Sequence, residues 1–175
     1  MAEQYAAGTV EDTLLPHLDA AYNLARWLTR SPADAEDVAQ EACLRALRFF
    51  NGFRGGDSRA WLLKIVRNTY YSWVEKNRQA EFSDEFDETV HSGESPWADA
   101  EAELVSRAES GRVRAALGTL PVAFREVLVL REIEGLSYKE ISDVTGAPMG
   151  TVMSSLSRAR QRLREELRAP AGSGI

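Results

Sequence analysis

Thr151, Met153, Ser154, Ser155 and Arg158 line one side of a stretch whose other side is Val152, Leu156, Ala159 and Leu163. Apolar steps of four, three and four are those of an amphipathic helix, so the polar set projects outward together. Arg160, Arg162, Arg164 and Arg168 follow, and no acid occurs from Pro148 to Leu163. Short polar groups that reach base edges, with arginines for guanine or phosphate, suit a surface that enters a DNA groove. The alternative is a plain helical pair with a solvated basic face, although such a face would interleave both signs. A second cluster is acidic: Asp34, Asp37 and Glu41 recur at i, i+3 and i+7. The helix dipole favours acids in a first turn, which accounts for Asp34, Glu36 and Asp37. Glu41 lies beyond that turn, where like charges four residues apart are unfavourable. A docking face for a basic partner explains the excess, and a solvated helix start is the alternative. A third cluster interleaves rings with cations: Phe53, Arg54, Arg59, Trp61, Lys64, Arg67, Asn68, Tyr70, Tyr71, Trp73, Lys76 and Arg78. Single-stranded bases stack on such a mixture. Leu62, Ile65, Val66 and Thr69 can fill the buried side. Trp61 fits a core position, while Tyr70, Tyr71 and Trp73 stay open between core and surface.

Helices must position all three clusters, since no segment alternates convincingly with period two. Leu14/Leu15, Leu18, Ala21/Tyr22, Ala25 and Leu28 predict one amphipathic helix. Ser31-Pro32 predicts the next start, with Ser31 as N-cap and proline in the first turn, where its missing N–H costs nothing. That helix should run to about Phe50 and bury Val38, Ala42, Ala46 and Phe49. Asn51-Gly52 and Gly55-Gly56 punctuate a loop, and a third helix follows from about Ser58 to Arg78. A helical pattern resumes between about Trp97 and Leu120. Leu120-Pro121 then opens a helix with Phe124, Val127/Leu128 and Leu130/Ile133 inside, ending at Gly135. Ser137-Tyr138-Lys139-Glu140 is a capping box, flanked by Leu136 and Ile141 as a hydrophobic staple. A short helix burying Ile141 and Val144 breaks at Gly146, and the basic helix begins after Pro148. Two short helices around a glycine turn predict a helix-turn-helix.

The charge map separates these pieces. The 175 residues carry a net charge of −6. Residues 1–79 are neutral, 80–111 hold ten acids against Arg107 alone, and 112–175 are net +3. The acidic stretch has few aliphatics and cannot offset the entropy of ordering, so it reads as a flexible linker. The expected organisation is an N-terminal helical domain over 1–79, a linker over 80–97 and a helix-turn-helix domain over 98–175. Apolar residues at 44% and charged residues at 27% fit a folded soluble chain. No run approaches the roughly 20 apolar residues of a spanning helix, and Met1–Val10 lacks the features of a signal peptide. No membrane insertion is therefore expected, and the location is read as cytoplasmic. Cys43, His17 and His91 give no metal-ligand spacing, and no nucleophile–base set or phosphate-cradling glycine loop occurs. Neither a metal, a cofactor nor an enzyme is expected.

Together, Asp34-Ala-Glu-Asp-Val-Ala-Gln-Glu41, Phe53-Arg-Gly, Trp61-Leu-Leu-Lys-Ile-Val-Arg-Asn68, Leu120-Pro121 and Gly150-Thr-Val-Met-Ser-Ser-Leu-Ser-Arg-Ala-Arg160 resemble the extracytoplasmic-function (ECF) sigma factors of the sigma-70 family. Five motifs in the family's order span residues 11–168. The resemblance implies an all-α chain of two small helical domains that binds RNA polymerase core and directs promoter-specific initiation. It implies that Asp34, Glu36, Asp37, Gln40 and Glu41 hold the β′ clamp coiled coil. Phe53, Arg54, Ser58, Arg59, Lys64, Arg67, Asn68, Tyr70, Tyr71, Trp73 and Lys76 would open and read the −10 element. The second domain would sit on the β flap and read the −35 element through Ser137, Thr151, Met153, Ser154, Ser155, Arg158, Arg160 and Arg162. The linker would thread toward the active-site channel, and an anti-sigma factor is an implied partner. Two departures matter. Met153-Ser154-Ser155 stands where many members have Lys-Ser-Arg, so the −35 preference does not transfer. The chain also stops at Ile175 with no appended regulatory domain.

The charge map agrees with such a role, because a free protein of net −6 should bind duplex DNA poorly by itself. Two other functions fit parts of the pattern. A sigma-like decoy that titrates an anti-sigma factor would need neither the aromatic helix nor the arginine-rich one. A free helix-turn-helix repressor would normally be a dimer, and no dimerisation heptads occur.

Overall fold

The computed structural model describes residues 8–81 and 104–168. Among them every regular element is helical, and they divide into two units. The expected linker lies outside the described residues from 82 onward, as do 98–103 of the second domain. The first unit holds α1 (Val10–Leu14), α2 (Leu18–Thr29), α3 (Pro32–Phe49) and α4 (Ser58–Glu81). The second, apart from Asp143–Gly146 at the end of α7, holds α5 (Leu104–Thr119), α6 (Val122–Leu128), α7 (Tyr138–Thr145) and α8 (Met149–Arg168).

In the first unit α2, α3 and α4 pack against one another. Ala21 and Ala25 of α2 and Ala35, Ala42 and Ala46 of α3 are fully buried, so small side chains let these helices approach closely. Leu24, Leu28, Val38, Leu62, Leu63 and Val66 supply the bulk between them. The Ser31 cap forms as expected, its Oγ accepting from the Asp34 amide at 3.4 Å, with Pro32 in the first turn. At α4 the cap is Asp57, whose Oδ1 accepts from the Ala60 amide at 3.1 Å. α4 continues to Glu81, three residues past the expected end at Arg78.

Two expectations fail here. The first stripe is not one helix, because Leu15–His17 forms a 3₁₀ turn around Pro16. At about three residues per turn it shifts the register, leaving Leu15 and Leu18 exposed while Leu14 stays in the core. Phe49 is the second: it is 57% exposed, at the last position of α3 where the chain turns away.

In the second unit α8 packs on α6 and α5. The helix after Pro121 changes register at Val129–Ile133, which is a π-helix. The Glu134 amide donates to Val129 O and the Leu136 amide to Leu130 O, both at 3.0 Å. The wider turn turns Ile133 outward and Glu134 inward, against the expected order, and Phe124 is half-buried. The helix-turn-helix forms as expected. Gly146 sits at φ 75°, a backbone conformation that glycine adopts without strain. Val152, Leu156 and Ala159 are buried, with Leu163 half-buried.

The capping box is complete: the Glu140 amide donates to Ser137 Oγ at 3.1 Å and the Ser137 amide to Glu140 Oε1 at 3.2 Å. Leu136 and Ile141 beside it are fully buried. Ser137→Ala should therefore lower stability by about 1 kcal/mol. Thermal and urea melts of the full chain check this, and an unchanged midpoint would show that the box carries no energy.

Candidate partner and nucleic-acid interfaces

On α3, Glu36, Asp37, Gln40 and Glu41 are exposed and Asp34 is half-buried. The buried set Ala35, Val38, Ala42 and Ala46 fixes which side of the helix faces out, so no acid is needed for packing. Glu41 is partly neutralised by its own helix: Arg45 Nε donates to Glu41 Oε1 at 3.2 Å. Leu44 and Leu47 continue this surface as exposed apolar residues. They fall off the core stripe of Ala35, Val38, Ala42 and Ala46, a signal already present in the spacing. Cys43 is half-buried, and burial pushes its thiol pKa up.

The loop before α4 is pinned by rings. Phe53 lies 5.2 Å from Trp61 and 6.0 Å from Phe50, centroid to centroid, and Phe50 meets Trp61 edge-on at 6.3 Å. Gly55 and Gly56 follow at φ 89° and 91°, which lets the chain turn sharply while leaving Arg54 exposed. Ser58 Oγ and His17 Nε2 share a hydrogen bond of 3.0 Å, which ties the start of α4 to the 3₁₀ turn.

Between α3 and α4 an open cleft of about 330 Å³ is lined by Phe49, Gly52, Trp61, Lys64, Ile65 and Asn68. A smaller hollow of about 180 Å³ adjoins it, lined by Arg45, Phe49, Ile65 and Asn68. Trp61, Lys64 and Asn68 of the expected set are thus brought together, whereas Phe53, Arg54, Ser58 and Arg59 do not line the cleft. Phe49 was expected in the core and instead forms a wall.

Farther along α4 the aromatic cluster closes on itself. Tyr70 is only 9% exposed, stacked at 6.4 Å on Trp73 and edge-on at 5.1 Å to Tyr71. Its ring packs as core in this conformation, which answers the question the sequence left open. Tyr71 and Trp73 are half-buried, and the Arg67 guanidinium lies 4.6 Å from the Tyr71 ring centroid. Lys76 is exposed.

On α8, Thr151, Met153, Ser154, Arg158 and Arg162 are exposed and Ser155 is half-buried, the outward set the periodicity predicts. Ser154 Oγ donates to Thr151 O at 3.1 Å. Two of the expected −35 residues also have partners within the fold. Ser137 is held in its capping box. Arg160 Nε and Nη2 both donate to Glu132 Oε1, at 3.0 and 2.7 Å, which raises the pKa of its guanidinium. This pair joins the π-helix to α8 across 28 residues, a distance no local spacing rule covers. Arg131 completes the junction, 4.7 Å from the Tyr138 ring centroid and donating to Leu136 O at 2.8 Å.

Comparison with known families gives these surfaces a context. Residues 14–80 match sigma-70 region 2 and residues 110–163 match sigma-70, region 4. The RNA polymerase sigma-H factor of Pseudomonas aeruginosa is 36% identical over 141 residues, covering 77% of this chain and 73% of that protein. The chain belongs to the sigma-70 family, among its ECF sigma factors. The ECF sigma factor SigE of Mycolicibacterium smegmatis is 32% identical over 169 residues, 94% of this chain. The chain spans 64% of the length of SigE. Among solved structures, the sigma factor RpoE of Bartonella quintana, bound to the anti-sigma factor NepR, superposes with a TM-score of 0.73 at 30% identity. The match covers 92% of this sigma factor and 98% of RpoE. CnrH, in complex with the cytosolic domain of CnrY, matches at TM-score 0.64 and 27% identity, over 93% of this chain and 89% of CnrH. In this sigma factor region 2 is thus the α1–α4 unit with the acidic face and the cleft, and region 4 holds the helix-turn-helix. No helix among its described residues is long and apolar enough to cross a membrane, and none of its described acids, histidines or cysteine cluster to hold a metal.

Proposed function

We propose that this sigma factor acts as a promoter-specificity subunit: it docks on RNA polymerase core through α3, opens and reads the −10 element with α4, and reads the −35 element with α8. The observation that carries the reading is the division of labour on α3. One side presents Asp37, Gln40 and Glu41 to a basic partner, and its last residue, Phe49, walls a cleft holding Lys64 and Asn68. Core docking and strand capture then share one rigid helix. The site residues named from the resemblance divide accordingly. Asp34, Glu36, Asp37, Gln40 and Glu41 meet the β′ clamp coiled coil. Trp61, Lys64, Asn68, Tyr71 and Trp73 meet single-stranded bases, with Tyr70 supporting them from below. Thr151, Met153, Ser154, Ser155, Arg158 and Arg162 face the groove, and Arg160 braces α8. The chemistry of initiation belongs to the polymerase, so this chain works in the cytoplasm as a positioning subunit and not as an enzyme. An anti-sigma partner is supported by the solved relative RpoE, captured with the anti-sigma factor NepR.

Reconstitution with bacterial RNA polymerase core on a genomic fragment library tests the proposal. Transcripts starting at a common promoter class, only when the chain is present, are expected. Binding to an anti-sigma factor without transcription would favour the decoy. Binding of duplex operator as a dimer without polymerase would favour the repressor.

A further inference from the structure

Arg45 belongs to neither surface assigned above, yet it touches both. Glu41, Arg45 and Phe49 stand at i, i+4 and i+8 on one side of α3. Arg45 Nε is 3.2 Å from Glu41 Oε1 on the acidic face, and the same side chain lines the hollow with Phe49, Ile65 and Asn68. We propose that Arg45 is a phosphate-binding residue for single-stranded DNA in the α3–α4 cleft, restrained by Glu41 until a basic partner engages that carboxylate. The proposal rests on the function proposed above, and adds to it a residue and a coupling between the two surfaces.

The physical case has three parts. The hollow adjoins the larger cleft through shared Phe49, Ile65 and Asn68, so a strand whose base enters the cleft brings a neighbouring phosphate to its edge. Arg45 and Asn68 are the polar groups lining that hollow, and a guanidinium matches phosphate in shape and charge. The restraint is weak by design of its setting. The Glu41 side chain is 49% exposed, and an exposed i, i+4 pair with the acid first is favourable but readily exchanged. A cation arriving at Glu41 takes over that carboxylate and raises the pull of Arg45 on phosphate. By linkage, DNA in the cleft strengthens core binding by the same factor.

The test uses the full-length chain and fluorescence anisotropy with a labelled single-stranded DNA of mixed sequence, over a salt series. Arg45→Gln should weaken binding and reduce the slope of log K against log salt by about 0.7, the value for one phosphate on a single strand. Arg45→Lys should keep the slope. Glu41→Gln should tighten binding about twofold, and the gain should vanish in the Glu41→Gln/Arg45→Gln double variant. A gain that persists there reflects general charge and overturns the coupling. An unchanged slope in Arg45→Gln overturns the phosphate contact. Asn68→Ala separates this proposal from the reading beneath it: loss with Asn68→Ala but not Arg45→Gln leaves the cleft standing and removes Arg45. No loss with either removes both. Circular dichroism and melts confirm that each variant is folded.

Discussion

Reversing Asp37 and Glu41 to lysine should abolish co-purification with RNA polymerase core while leaving helical content unchanged. Both side chains are exposed, and α3 is held by the buried Ala35, Val38, Ala42 and Ala46. The fold should therefore tolerate the change at a cost of a few tenths of a kcal/mol, chiefly from placing a lysine at 41 beside Arg45. The interface should not. Removing one partner of a charge pair that becomes buried and hydrogen-bonded in the complex costs about 2–5 kcal/mol, and reversal adds repulsion. Affinity should drop at least a hundredfold by pull-down and by competition against an unrelated sigma factor. Unimpaired co-purification of the folded variant would remove the acidic face from the docking surface and shift attention to Leu44 and Leu47.

Neighbouring tyrosines on α4 should separate stability from strand opening. Tyr70→Ala removes a ring that is 9% exposed and stacked on Trp73, so it should cost about 3 kcal/mol of unfolding free energy. Tyr71→Ala, combined with Asn68→Ala, removes a half-buried ring and an exposed amide and should lower the melting midpoint less than Tyr70→Ala does. Its effect should fall on promoter opening instead. Base–aromatic stacking is worth roughly 1–3 kcal/mol per base, so open complexes should fall about five- to hundredfold, read as lost permanganate reactivity near −10. Closed complexes, measured by footprinting at low temperature, should persist, because the substitutions leave α8, the proposed duplex reader, untouched. Intact opening with a destabilised Tyr71→Ala/Asn68→Ala variant would place both residues in packing alone.

These two outcomes divide along the same line as the fold itself. Features carried by hydrogen bonds within four residues were legible in the chain. Ser31 and Ser137 close their caps on amides three residues ahead, and Gly146 permits the turn between α7 and α8. The outward set on α8 was legible too, because Val152, Leu156 and Ala159 keep one regular helical period and leave Thr151, Ser154 and Arg158 no other side.

What tertiary structure alone decided is every place where that period changes or a long side chain has a choice. The 3₁₀ turn at Pro16 and the π-helix at Val129–Ile133 shift the register, so Leu15, Leu18 and Ile133 emerge where a uniform helix would bury them. Two adjacent tyrosines are indistinguishable in a sequence, and only the stack on Trp73 takes Tyr70 inside. Arg160 was one more cation on a basic helix until the fold brought Glu132 to within 2.7 Å of it. The cleft and Arg45's place beside it follow from how α3 crosses α4, and no spacing along one helix encodes the distance to another.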